Sequence, residues 1–537
     1  MTATTSRAAL LVAAALLVAP AAAAGSAPEL PMVLPGDAVA ASMPAERSTW
    51  IVGARPGAAS RVLARRFGAR HVGPAGTGGY VLARGRARAF AGALRRDGLL
   101  VYAQPNTFAR PLQGVPNDPF SGPPDDWRTL VVDPALVPPA VTPESPLIAL
   151  VDAQLDSTHP EFAGGNTTTL PQFPVTNSHG TATASVAAAP VNNVGIVGVW
   201  PGARALNVPL PPGESIECSA RAKAIATAIE QEAAVINMSY GSLQPCALEY
   251  VALQFAVARG IVPVAAAGNE FAEGNPPEFP ASLPHVLTVT ALGPGNTSSP
   301  FSNANGAVDL SAPGEDIMTA VPLALDGEGA ADGYQHQSGT SFSAPMVAAA
   351  VAWIRAKRPT LKGDQVAQVV RLSARDLAPR GWDVNTGFGI LRVGRAETFP
   401  PPPPDPAEPN DDIQWVDGRM FTKPDGLFYT GRRRARLVGL LDVFEDPADV
   451  YRVRLRPRSR VKVTADPANR GDVALYGYAR KAKRLSSRPL VRSAHRGRRT
   501  ERIVLRNRSR RPQTFYVAVT IQRGVRILDA TYALRVG

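Results

Sequence analysis

The chain has 537 residues, 45% of them hydrophobic and 19% charged, with 57 basic against 44 acidic side chains and a net charge of +13. That length accommodates two or three domains, one with a sizeable core, while 47 glycines and 52 prolines argue against a mostly helical fold. The two cysteines, Cys218 and Cys246, lack the cysteine and histidine spacing of a zinc site.

At the start of the chain, Arg7 precedes an apolar run from Ala8 to Val18, followed by Pro20, Ala21–Ala24 and Gly25. This is the three-part pattern of an export signal, residues 1–24, with cleavage near Ala24. The run is broken by Pro20, and no other stretch reaches the length of about 20 apolar residues that spanning a bilayer requires. The expectation is a secreted, extracellular protein with no membrane span after signal removal, and with cell-surface association left open. Export gives Cys218 and Cys246 two fates, a disulfide or a pair of buried thiols.

Residues 26–48 read as a spacer. Trp50–Val52, Gly79–Leu82 and Leu99–Ala103 then read as strands, and Gly57–Phe67 and Arg86–Leu94 as helices, which makes residues 49–110 a small α/β module. Farther on, Leu147–Val151 is a continuous apolar run, the pattern of a parallel strand buried on both faces. It ends in Asp152, and the carboxyl end of a central strand is where open α/β sheets do chemistry. His179 opens His179-Gly180-Thr181, ahead of a small-residue helix over Ala182–Ala189. Val197–Val199, Ala205–Val208, Val235–Met238 and Ile261–Ala265 read as strands, Ser219–Gln231 and Ala247–Ala258 as helices. The alternation predicts a mostly parallel sheet covered by helices.

Gly268-Asn269-Glu270 follows the last of these strands. Ser338–Pro345 leads into the small apolar run Met346–Trp353, predicted to be a buried helix with Ser341 at its N-terminus. Gly339 allows a tight turn, and Pro345 is expected in the first helical turn, where its missing N–H is not needed. Taken singly, each motif has an ordinary reading, as a strand-end aspartate, a loop histidine, a Gly-Asn turn or an N-cap.

Taken together and in this order, the segments around Asp152, His179, Asn269 and Ser341 resemble those of the subtilisin-like serine proteases, over roughly residues 117 to 395. The resemblance implies an α/β catalytic domain at 117–398 with Asp152, His179 and Ser341 as a catalytic triad. It also implies an oxyanion hole made by the Asn269 side chain and the Ser341 N–H. Ser239, Tyr240, Gly241, Ala266, Ala267 and Gly268 would border an extended polypeptide substrate, and their small size predicts room for an apolar side chain. The chemistry needs no cofactor. Glu161 and Asn193 match positions near a calcium loop of relatives, so structural calcium is an expectation there. The family follows its aspartate with Thr or Ser and then Gly, whereas this chain has Ala153 and Gln154, so the hydroxyl expected beside Asp152 is missing. The 49–110 module resembles the family's inhibitory propeptide, which would make the chain a zymogen with its own propeptide as a partner, cleaved between Pro105 and Gly114.

Pro400–Pro404, Pro406 and Pro409 predict a stiff linker over 399–410. Beyond it, Ala435–Leu440, Asp449–Leu455, Val461–Ala465, Val473–Tyr478, Ile503–Leu505, Thr514–Thr520 and Ile527–Val536 read as the strands of a small β-sandwich, residues 411–537. It resembles the C-terminal β-sandwich appended to many secreted peptidases. With 30 basic and 12 acidic side chains it carries +18, while residues 144–398 carry −9. Such a face suits anionic cell-wall or surface polymers. Its sparse aromatics match no nucleic-acid module. Two functions stand: a secreted serine endopeptidase, or a catalytically impaired subtilisin-fold binding or scaffold protein acting through its basic C-terminal domain.

Overall fold

The computed structural model describes residues 49–71, 79–105, 118–122, 125–213, 215–327, 331–421, 423–468, 471–522 and 529–537. The expected export signal and the 106–114 part of the expected cleavage stretch lie outside them. The chain divides into two compact units, 1–112 and 113–537.

In the first unit the order is β1 (Thr49–Ala54), α1 (Ala58–Phe67), β2 (Arg70–His71), β3 (Gly79–Ala83), α2 (Arg84–Arg96) and β4 (Leu100–Pro105). The strands pair antiparallel in the order β2-β3-β1-β4. Gly68 ends α1 with a left-handed φ of 65°, which a side chain would resist, and its N–H caps the helix. Val52, Tyr80, Leu82, Phe90 and Leu94 form the core, with Tyr80 and Phe90 edge to face at 5.5 Å between ring centroids.

The second unit is built on a seven-stranded sheet of order β11-β10-β9-β8-β5-β7-β6, every neighbouring pair parallel. Its strands are β5 (Ile148–Asp152), β6 (Thr167–Thr169), β7 (Ala205–Pro209), β8 (Val235–Met238), β9 (Val262–Ala266), β10 (Leu287–Leu292) and β11 (Val308–Pro313). A hairpin of β12 (Ile317–Ala320) and β13 (Tyr334–Gln337) follows. The helices are α3 (His179–Ala188), α4 (Cys218–Glu230), α5 (Ala247–Val257), α6 (Thr340–Lys357) and α7 (Gly363–Leu372). Helix α6 is small and apolar all round, as a fully enclosed helix must be, and every residue from Phe342 to Ile354 is buried. Chain order leaves β5 with β7 on one side and β8 on the other, a switch point that opens a crevice beyond its carboxyl end.

Two local expectations are corrected. Val197–Val199 forms no strand. It is a buried loop whose amides close the end of α3, Gly198 N–H donating to Ala189 O and Val199 N–H to Val186 O. A Cβ on Gly198 would meet the backbone nitrogens of Ala188 and Ala189 at 2.6 Å, so only glycine allows this contact. Pro345 lies six residues into α6, past the first turn. The carbonyl it leaves without an intrahelical donor is that of Ser341, and the Ser239 hydroxyl donates to it instead at 2.8 Å.

A β-sandwich completes this unit. Strands β14 (Leu427–Tyr429), β15 (Ala435–Asp442), β16 (Ala448–Leu455), β17 (Arg460–Pro467), β18 (Val473–Tyr478), β19 (Val491–Ser493), β20 (Glu501–Arg506), β21 (Gln513–Ile521) and β22 (Asp529–Val536) form two sheets, β14-β16-β21-β18-β19 and β15-β22-β17-β20. Short β14 and β19, at the two edges of the first sheet, went unread in the sequence. The proline-rich linker is anchored along its length. Gln365 Nε2 donates to Pro402 O at 2.8 Å and Asp405 N–H to Asp364 Oδ2 at 2.9 Å. Arg371 is buried between Asp309 of the parallel sheet at 2.8 Å and Asp442 of the sandwich at 3.1 Å. Among the described residues, no helix is long and apolar enough to cross a membrane.

Candidate active site

Asp152 ends β5 at the sheet's carboxyl edge with its side chain 2% exposed. Its Oδ1 accepts from the Ala153 N–H at 2.7 Å and lies 2.6 Å from His179 Nδ1, and its Oδ2 accepts from Thr183 Oγ1 at 2.9 Å. The hydroxyl that Ala153 cannot supply thus comes from α3, one turn beyond His179. Gln154 is buried as well. Its amide donates to Thr169 Oγ1 at 2.7 Å, and its carbonyl accepts from the N–H groups of Gln172 and Phe173. The departure at Ala153-Gln154 therefore leaves the carboxylate fully held.

His179 is the first residue of α3, its side chain 34% exposed, and the helix reaches β5 because residue 180 is glycine. A Cβ there would lie 2.1 Å from the Ala153 carbonyl oxygen. Burial alone would lower the His179 pKa, but the charge of Asp152 and its hydrogen bond outweigh it and hold the pKa above the ordinary value. The imidazole ring lies 6.1 Å from that of Phe342, the residue after Ser341.

Ser341 occupies the first turn of α6. Its hydroxyl donates to the Ser239 carbonyl at 3.3 Å, so Ser239 and Ser341 bond each other reciprocally, hydroxyl to carbonyl. Asn237 Nδ2 donates to Ser239 Oγ at 3.0 Å and steadies the pair. In this rotamer the Ser341 hydroxyl is bonded to the Ser239 carbonyl and not to His179.

Asn269 follows β9, and its Oδ1 accepts from both Thr340 N–H at 2.9 Å and Thr340 Oγ1 at 3.0 Å. The Thr340 hydroxyl also accepts from Gly268 N–H at 3.2 Å. With its carbonyl oxygen clamped, Asn269 presents Nδ2 as its outward donor. That atom lies 3.5 Å from where a Cβ on Gly339 would stand, beside the turn that leads to Ser341. Sequence reasoning missed Thr340 and Thr183; Thr340 follows Gly339 directly before Ser341, and Thr183 lies four residues, one helical turn, after His179.

Ser239-Tyr240-Gly241 and Ala266-Ala267-Gly268 run on from the adjacent strands β8 and β9. The space beside them is not lined by small residues alone. A Cβ on Gly241 would fall 2.1 Å from Glu278 Oε2, and one on Gly268 would fall 2.6 Å from Glu278 Cγ and 2.8 Å from Glu270 Oε2. Glu278 therefore stands against the glycines of both segments, and Glu270 against Gly268. Glu270 is tied by Asn269 N–H at 2.7 Å and Asn303 Nδ2 at 3.3 Å.

Glu161 and Asn193, the expected calcium positions, differ in burial, and Asn192 between them in the loop donates to Glu161 O at 3.0 Å. Glu161 is fully buried and its Oε2 accepts from Ile196 N–H, whereas Asn193 is exposed with a φ of 68°. Asp118 Oδ1 accepts from the N–H groups of Asn192 and Val194. Backbone donors thus face one oxygen of each carboxylate, while Asp118 Oδ2 and Glu161 Oε1 are buried without a hydrogen-bond partner. Cys218 and Cys246 form a disulfide, Cα atoms 5.7 Å apart, that joins the starts of α4 and α5.

The model of the Subtilase family matches residues 144–389, which contain Asp152, His179, Asn269 and Ser341. The subtilisin of Bacillus pumilus is 32% identical over 271 residues, 49% of this chain and 94% of its own length. Subtilisin amylosacchariticus of Bacillus subtilis subsp. amylosacchariticus is 32% identical over 271 residues, covering 49% and 68%. A probable subtilase-type serine protease of Deinococcus radiodurans is 34% identical over 232 residues, 40% of this chain, and the match spans 31% of that longer relative. The parallel sheet, the polar groups gathered at its carboxyl edge and these relatives agree: the chain belongs to the subtilase family of serine proteases.

Proposed function

We propose that the chain is an exported serine endopeptidase, made as a precursor whose 49–110 segment restrains it. The observation that carries this reading is the Asp152–His179 contact of 2.6 Å; it is supported by the ring of Phe342, next to Ser341, 6.1 Å from that of His179, and by the bond of Asn269 to Thr340 on the other side of Ser341. Ser341 Oγ attacks the scissile carbonyl carbon while His179 Nε2 takes its proton. Asp152, held by Thr183 and Ala153, accepts the Nδ1–H and stabilises the imidazolium. The carbonyl oxygen gains negative charge only as the tetrahedral state forms, and Asn269 Nδ2 and the Ser341 N–H are the donors that meet it. His179 returns its proton to the leaving amine, and water then releases the acyl group by the same route. No step uses a cofactor. The Cys218–Cys246 disulfide and the apolar N-terminal run both favour export. The +18 charge of residues 411–537 suits retention on anionic surface polymers.

A serine-directed fluorophosphonate, applied after removal of the N-terminal segment, tests the reading. Labelling of Ser341 that is abolished in H179A, together with loss of casein hydrolysis in S341A, is the expected outcome. A folded, matured chain that takes no label would establish the scaffold alternative.

A further inference from the structure

The chain buries a group of carboxylates that the protease chemistry does not use. Where the linker meets the sandwich, one oxygen each from Asp405, Glu408, Asp446 and Asp449 lie within 4.8 Å of one another. Asp449 is 0% exposed and Asp446 9%. Oδ1 of Asp405, Asp446 and Asp449 is buried with no hydrogen-bond partner. The second oxygens of Asp405 and Asp449 are engaged, by Leu440 N–H and the Tyr532 hydroxyl. Glu408 is held by Asn410 through its N–H and Nδ2. Protein donors thus engage both oxygens of Glu408 and one each of Asp405 and Asp449, and leave Oδ1 of Asp405, Asp446 and Asp449 bare. The adjacent positive group is His285, 3.1 Å from Asp411 and 3.5 Å from Glu408.

We propose that Asp405, Glu408, Asp446 and Asp449 form a calcium site that fastens the linker to the sandwich. An all-oxygen set at this spacing suits calcium–oxygen distances of roughly 2.3–2.6 Å, and a hard divalent cation is what bare buried carboxylates attract. His285, hydrogen-bonded to Asp411, is not among the four, so this set offers oxygen alone and does not favour zinc. A cleft of about 600 Å³ bordered by His285, Asp405, Glu408 and Asp446 gives the ion a path.

The test uses the full chain carrying S341A to prevent self-digestion, stripped with EDTA and titrated with calcium chloride by calorimetry. Terbium luminescence sensitised by Tyr532 gives a second readout. One calcium per chain, a rise in Tm of several degrees, and at least a tenfold loss of affinity in D446N and D405N are expected, with E161Q unaffected. Asp405 lies on the linker, so D405N decides the matter if D446N fails to fold. No calcium uptake by the folded chain, a preference for zinc, or unchanged affinity in D405N would overturn the proposal.

A second, independent inference concerns the substrate and rests on the endopeptidase reading. Glu278 is 5% exposed and stands between the Gly241 and Gly268 segments with Glu270 beside it. Burial first, and then the charge and hydrogen bond of Glu270, push its pKa up to about 7. We infer that the pocket selects a lysine or arginine side chain before the scissile bond. A substrate cation placed there neutralises a pair that otherwise has to share a proton. Peptides differing only at this position, Arg, Lys, Phe, Leu or Glu, test it at pH 8. The expected kcat/KM for Arg or Lys exceeds that for Phe by about tenfold or more, and E278Q collapses the ratio. Phe cleaved faster than Arg, or a ratio untouched by E278Q, overturns this inference alone. Failure of every peptide together with absent fluorophosphonate labelling would overturn the endopeptidase reading itself.

Discussion

His179 and Asp152 form a pair in which two opposed effects can be ranked. Burial disfavours the imidazolium, yet a carboxylate 2.6 Å away favours it more, so the folded pKa lies above the ordinary value of about 6.5. In the proposed mechanism only the neutral ring accepts the Ser341 proton, so the active fraction falls as pH drops through that raised value. A profile of kcat/KM against pH should show an acid limb of unit slope with its midpoint above 6.5. In D152N the limb should move to lower pH, because the charge that raised it is gone, while the rate falls by about 10⁴-fold. An unshifted limb in D152N would mean that another group governs it. Asn269 shows the same economy of position: Thr340 takes its carbonyl oxygen from both backbone and side chain, which leaves the NH₂ face as the donor.

At the scale of elements, the close contact between α3 and the end of β5 is what turns two distant motifs into a pair. Gly180 permits it, since any side chain there would overlap the Ala153 carbonyl. G180A should push α3 away from β5, lengthen the His179–Asp152 contact and break the Thr183 bond together. The expected cost is about 3 kcal/mol or more of stability, read from urea denaturation, with a fall in kcat/KM of about 10²-fold or more. Full activity in G180A would show that the backbone yields easily at this point. Pro345 performs a related service in α6. It withholds one helical N–H, and the freed Ser341 carbonyl becomes the anchor for Ser239. The periodicity of these helices and strands was legible: β8 falls on Val235–Met238 as read, and α4, α5 and β9 begin and end within one residue of expectation. Val197–Val199 misled because an apolar triplet buried behind a helix and one buried in a strand look alike in sequence.

Across the whole molecule, the parallel sheet and the sandwich are locked by a cation enclosed between two anions. Arg371 is 3% exposed and meets Asp309 on one side and Asp442 on the other. R371A would leave both carboxylates buried without a countercharge, at a cost of about 3–5 kcal/mol. Calorimetry should show a lower Tm and, if the two parts uncouple, two transitions in place of one. A single transition at the parent Tm would remove Arg371 from the account of how these parts hold together. The match to the family model ends at residue 389, so Asp309 and Arg371 lie within it and Asp442 beyond it.

By itself, the sequence determined the order of the elements, the four ordered motifs and the charge contrast between sheet and tail. These are properties of residue type and short-range spacing, and they survive in one dimension. Tertiary structure alone decided what stands beside what. Thr183 replaces the hydroxyl missing at Ala153, Glu278 reaches the glycines of two other segments, and Asp405 and Glu408 meet Asp446 and Asp449. None of these partners is a sequence neighbour at a motif spacing. Each contact is created by chain closure over tens of residues, so only the packed backbone brings the charges and donors within reach.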